Sequence, residues 1–233
     1  MISARDSIVN DMFRLIGREH GCNDVRARFY PFKEFKSTWC RSGGRTEFKI
    51  SDYLQNADAG VLEDFSRCLF SRISNKGRRE VYTDRLRSWL QSEEFISMNR
   101  PLYLERSRNL SLSPVGRFLN LKEIHASLKD KGLSQDSFDA VLSWTVSQNA
   151  HRVGYCSVIM RVIGISSVLD TPSIPDFVAE YVLYHEILHL ESGLASLTSG
   201  HDRDFRVRER MYPNWRTAED WLKKVATGKI VGT

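Results

Sequence analysis

The stretch that opens at Pro175 constrains this chain more than any other. It reads Phe177-Val178-x-x-Tyr181-Val182-Leu183 and runs on through Ile187, Leu188 and Leu190, with the charged exceptions few and spaced. Pro175 suits the first turn of a helix, where its missing N–H is not needed. A helix this apolar has to be buried, so the rest of the chain must supply layers that cover it. Inside it lies His185-Glu186-Ile187-Leu188-His189, an H-E-x-x-H. Residues four apart on an α-helix differ by about 40° in direction and about 6 Å in height, so two imidazoles at that spacing can grip one metal ion. Glu186 is turned by about 100° from His185, within reach of a water on such an ion without ligating it.

A catalytic zinc takes three protein ligands and keeps one position open. The helix is expected to end at Gly193, and a loop over 194–200 leads to His201-Asp202-Arg203-Asp204-Phe205, where the two acids favour a new helix start. His201 is the third ligand on this reading. Its rivals are Glu209 and Glu219 on the helices that follow, or no third side chain at all. Cys156, in the stretch just before the helix, is read as an inert buried thiol.

Around that segment the periodicities predict an α+β chain. Ile8, Val9, Met12, Phe13, Leu15 and Ile16 mark a helix near 4–19 that Gly17 or Gly21 closes. Between 28 and 51 the period drops to two, and Ser42-Gly43-Gly44 supplies the turn of a β-hairpin. Helical spacing returns at Val61–Ile73, breaks at Asn75-Lys76-Gly77 and resumes from Tyr82 to Leu90. Residues 1–97 thus read as a mainly helical region with one hairpin. The segment 98–120, with Pro101, Pro114 and several arginines and serines, reads as a surface connector. A domain over 121–233 follows, with a short helix stopped at Gly132 and three strand-like runs at 140–146, 153–159 and 161–167, the last two a hairpin or one bent strand. No internal repeat is visible. Trp89, Trp144, Trp215 and Trp221 are read as core, His20 and His125 as surface groups, and His151 as a loop residue.

Composition removes the other classes. With 41% hydrophobic and 27% charged residues among 233, disordered and low-complexity chains are excluded. No window approaches 18 consecutive apolar residues, and Asp6 stands where a signal peptide would begin its apolar stretch, so a cytoplasmic protein without membrane contact is expected. The four cysteines, at 22, 40, 68 and 156, are too far apart for C-x-x-C pairs and read as reduced thiols. A net charge of +5 is compatible with nucleic acid without establishing it, and nothing in the sequence fixes an oligomeric state.

Tyr184-His185-Glu186-Ile187-Leu188-His189-Leu190, then His201-x-x-x-Phe205, Tyr212-Pro213-Asn214-Trp215 and the helix from Ala218 to Lys223 together resemble the SprT-like and YgjP-like zincin metallopeptidases, relatives of the minigluzincins. The likeness spans about residues 140–226. It implies a zincin-like core, a small and mainly antiparallel sheet on the active helix, zinc held by His185, His189 and His201, and Glu186 as catalytic base. Two features depart from the family: Asp202 follows the third histidine, and 11 residues separate His189 from His201.

The expected activity is zinc-dependent hydrolysis of a peptide bond, Glu186 activating a zinc-bound water, with an extended polypeptide as substrate held along a strand edge in 153–167. Tyr212, His151, Arg152 and Arg161 are the candidates for steadying the oxyanion. The competing expectation is a zinc-stabilised module that binds nucleic acid or protein without hydrolysis.

Overall fold

In the computed structural model, residues 4–74, 82–135, 139–195 and 201–229 are described. The Asn75-Lys76-Gly77 break and most of the 194–200 loop lie outside them. The chain divides into two compact units, one up to Asn99 and one from Arg100 onward. No described helix is long and apolar enough to cross a membrane, and all four cysteines are free thiols.

The first unit begins with helix α1 (Ala4–Glu19), as its spacing predicts. The face it buries is narrower than the apolar pattern: Val9, Phe13 and Ile16 are in the core, whereas Ile8 and Leu15 face solvent. Strands β1 (Asp24–Tyr30), β2 (Ser37–Ser42) and β3 (Arg45–Ser51) form a sheet in the order β1-β3-β2. The expected hairpin is β2–β3, antiparallel, and β1 joins it in parallel. Strand β1 was not expected, although Val25, Ala27 and Phe29 alternate with Asp24, Arg26 and Arg28. Its outer edge is covered by α1, because Ala27 N–H donates to Asn10 Oδ1 and Phe29 N–H to Asp6 Oδ1; such cover keeps a strand edge from pairing with other chains.

Helix α2 (Ala59–Ser74) closes this core. The rings of Phe13, Phe48 and Phe70 pack with centroids 5.1–5.9 Å apart, tying α1, β3 and α2 together. His20 is stacked on Phe70 at 5.6 Å and is not a free surface group. Helix α3 (Asp84–Leu90), capped by Thr83, and helix α4 (Glu93–Arg106) follow.

Helix α4 corrects the connector. It runs through Pro101 to Arg106, so the residues from 98 to 106 are helical. One proline costs a helix a single hydrogen bond and some straightness, which the flanking turns tolerate here. Residues 107–120 are irregular but tied down. Ser111 N–H donates to the Trp144 carbonyl, Trp144 Nε1–H donates to the Pro114 carbonyl, and the Asp170 carboxylate accepts from the backbone N–H groups of Arg117, Phe118 and Leu119.

The second unit contains helix α5 (Leu121–Asp130) and strands β4 (Val141–Trp144), β5 (Gly154–Ser157) and β6 (Val162–Ile165). The last two are a hairpin, turned at Arg161. The sheet is mixed, not mainly antiparallel: its order is β4-β6-β5, with β6 parallel to β4 and antiparallel to β5. The reason is topological, since the third strand to be made inserts between the first two. As the central strand, β6 is buried along its whole length, which is how a strand covered on both faces reads. Among the described residues both units use this first-third-second plan, with no matching sequence repeat.

Helix α6 (Asp176–Glu191) carries the H-E-x-x-H segment. It starts one residue later than expected, with Pro175 in the capping position, and ends at Ser192. Gly193 then takes the left-handed conformation, φ 57°, which a side chain would disfavour. The helix is buried almost continuously from Val178 to Leu188. It packs on β5, β6 and α5, and on helices α7 (Arg203–Glu209) and α8 (Trp215–Ala226). Trp144 is fully inside this core; Trp215 and Trp221 are half-buried against it. His125 is also half-buried, its Nε2 3.1 Å from Ser134 Oγ, which corrects its reading as a surface group.

Candidate metal centre

The packing of α6 against α7 builds the site. Tyr184 O–H donates to the Arg208 carbonyl at 2.6 Å, Tyr181 O–H donates to Glu209 Oε1 at 3.2 Å, and Arg208 pairs with Glu191. Asp202 caps α7, its Oδ1 accepting from Phe205 N–H at 2.9 Å. The carboxylate after the third histidine is therefore occupied in starting the helix. These bonds hold His201, just before α7, against the middle of α6.

His185, His189 and His201 come together. Their ring centroids are 5.0, 4.9 and 4.9 Å apart, and one nitrogen from each falls within 4.8 Å of the others. They are the group of potential metal donors found among the described residues. Phe205 lies beneath all three, 5.2, 4.6 and 4.5 Å from the rings of His185, His189 and His201. It is the part the sequence reading left without a role; its place one helical turn beyond His201 was the available signal.

The donor set fits a cation. His189 Nε2 and His201 Nε2 face each other at 3.0 Å, and two imidazole nitrogens aimed at one another must share either a proton or a positive ion. Ligands of a tetrahedral zinc ion sit roughly 3.3 Å apart. Burial, with the positive charge of the neighbouring histidines, pushes His189 down to about 4 and also lowers His201, a direction that favours the unprotonated nitrogens a metal ligand needs. Glu209 is not in the donor group. His185 Nδ1–H donates to its Oε1 at 2.6 Å, which fixes the tautomer and leaves Nε2 as the free donor. Glu219 is not in the donor group either, nor is Cys156, whose thiol is raised by burial and by the nearby Glu186 charge. Glu209→Gln is expected to weaken zinc affinity by about 10- to 100-fold, read by competition with a chelating dye.

Glu186 sits one residue along α6, with 6% of its surface exposed. Burial pushes its carboxyl up to about 7, against the pull of His185 and Arg152. It can lie there because strand β5 begins with glycine: a Cβ on Gly154 would stand 2.6 Å from Glu186 Oε1 and 2.8 Å from Val182 Cγ1. Gly154→Ala is expected to displace the Glu186 carboxylate and to leave metal content unchanged. Elemental analysis beside a crystal structure of the variant checks this.

Of the oxyanion candidates, Tyr212 is removed. Its hydroxyl shares its one proton between the Phe177 carbonyl and Glu180 Oε2, each 3.0 Å away, inside the core. Arg161 pairs with Asp139 at 3.5 Å, and His151 is an exposed loop residue. Arg152 lies over the Tyr155 ring, 5.2 Å from its centre, and its charge reaches Glu186. Comparison with the models of known families, with curated proteins and with solved structures gave no match.

Proposed function

We propose that the chain is a metal-dependent peptidase of zincin type, with zinc as its ion and an extended polypeptide as its substrate. The observation that carries this reading is the conjunction of three imidazoles converging on one point with a buried carboxylate on the adjacent helix position. Structural zinc sites close all four positions with side chains. Three come together here among the described residues, which favours the open, catalytic kind over a zinc-stabilised binding module. The motif order and a helix of this kind laid on a small sheet support what the resemblance to SprT-like and YgjP-like proteins implies, while the mixed pairing of that sheet departs from it.

His185, His189 and His201 would hold the ion. A divalent metal at such a site supplies a Lewis acid that polarises a carbonyl and makes water more acidic. Glu186 takes the proton from the attacking water and returns it to the leaving amine. Arg152 is the group placed to steady developing negative charge. Among the described residues strand β5 is paired on one side only, by β6, and its other edge would take an extended peptide through main-chain hydrogen bonds. Free cysteines suit a reducing compartment such as the cytoplasm.

The test is direct. Purified protein is expected to carry one zinc ion per chain and to cut an unfolded polypeptide; chelation should stop the cutting and added zinc restore it. Zinc-loaded protein that leaves every unfolded polypeptide intact would sink the peptidase reading.

A further inference from the structure

Helix α7 carries more positive charge than the metal centre uses. A concavity of about 440 Å³ adjoins His201 and is lined by Arg203, Arg206, Val207 and Arg210 together with Asp202. The three arginines follow at spacings of three and four, which puts them on one helical face. Arg208, on the same helix, is paired with Glu191, whereas Arg203 and Arg206 form no ion pair among the described residues. Of the three acids nearby in sequence, Asp204 and Glu209 do not line the concavity; Asp202 does, with its Oδ1 engaged in capping α7, and Glu209 holds His185, so three guanidiniums face one carboxylate there. Arg210 is steadied by the ring of Trp215, 5.5 Å from its guanidinium carbon, an aromatic contact that orients a cation without cancelling its charge.

Three guanidiniums against one carboxylate leave a surplus of positive charge, and guanidiniums match the fork geometry of carboxylates. Because the concavity shares His201 with the metal centre, an anion held there stands beside the ion's site. We infer that this concavity is an anion-accepting subsite of the cleft, selecting polypeptides with an Asp or Glu side chain beside the bond to be cut. The inference rests on the peptidase reading and deepens it by naming the substrate class.

The experiment measures binding, so that it does not depend on turnover. Zinc-loaded Glu186→Gln protein is titrated with an unstructured fluorescent peptide rich in glutamate and with its glutamine counterpart, at low salt. The acidic peptide is expected to bind about tenfold more tightly, the sum of a few exposed ion pairs, and the preference should shrink with added salt. In the same background Arg203→Ala/Arg206→Ala should bring the ratio of the two affinities close to one. Arg206→Glu should turn it in favour of a lysine-containing peptide.

A ratio near one in the parent, or a ratio the arginine variants leave unchanged, overturns the inference. So does a single-stranded oligonucleotide that displaces the acidic peptide at far lower concentration through the same arginines, which would assign the face to nucleic acid. Wild-type protein that binds acidic peptides through these arginines and cuts none of them would support the subsite and refute the peptidase reading.

Discussion

Glu186→Gln protein is expected to bind zinc as tightly as the parent and to cleave polypeptides between about a hundred and ten thousand times more slowly, the range for loss of a positioned general base. The amide has the shape of the carboxylate, so it fits the space that Gly154 leaves against β5. What it lacks is a site for the proton of the attacking water. Elemental analysis and turnover on one preparation separate the two properties. Loss of zinc together with activity would make Glu186 part of the scaffold, and undiminished hydrolysis would remove it from the mechanism.

His189→Ala is expected to have an effect of comparable size on a different quantity. His189 stands between the other two elements of the site: on the same helix as His185, 3.0 Å from His201 Nε2, and with its ring 4.6 Å from that of Phe205. Removing it leaves two nitrogens and an apolar gap. Zinc affinity should fall on the order of a thousandfold, given the total energies that full sets of ligands supply. Since an ion that binds only the folded chain stabilises it by mass action, zinc should raise the melting temperature of the parent and leave that of the variant unmoved. An unchanged zinc response in the variant would mean that the ion, if one binds, is held elsewhere.

The site was legible where its chemistry is local. His185, Glu186 and His189 lie on one helical turn, and their spacing alone places them. His201 was legible through the acids behind it, because Asp202 as a helix cap fixes where α7 starts. What escaped is what depends on the third dimension. Glu209 was weighed as a ligand because a carboxylate downstream of such a motif often is one; only the packing of α7 on α6 shows that it reaches His185 Nδ1 instead. Tyr212 looked available because a hydroxyl carries no mark in the sequence of what it bonds. Buried Glu180, which also accepts from Ser127 and Lys131, takes it up.

The fold divides in the same way. Helices α1, α2 and α6 and the hairpins β2–β3 and β5–β6 rest on periodicity and turns, and were readable. The strands that pair in parallel, β1 and β4, have partners distant in sequence, so their pairing left no local trace; β4 was expected as a strand but not beside β6. Polarity, Pro101 and Pro114 together suggest a connector from 98 onward, while a helix of fourteen residues that includes Pro101 absorbs its one missing bond.

The insertion of β6 between strands made earlier has a kinetic consequence. The β5–β6 hairpin closes a short loop and can form at once, whereas β4 must be brought back over a much longer stretch before the sheet is complete, and long closures are paid for in chain entropy before any contact rewards them. Helix α6 rests on both strands of the hairpin. Its His185 and His189 meet His201, which stands outside it just before α7, only when α7 has packed on this late-completed unit, so that during renaturation zinc uptake should trail the appearance of helical signal.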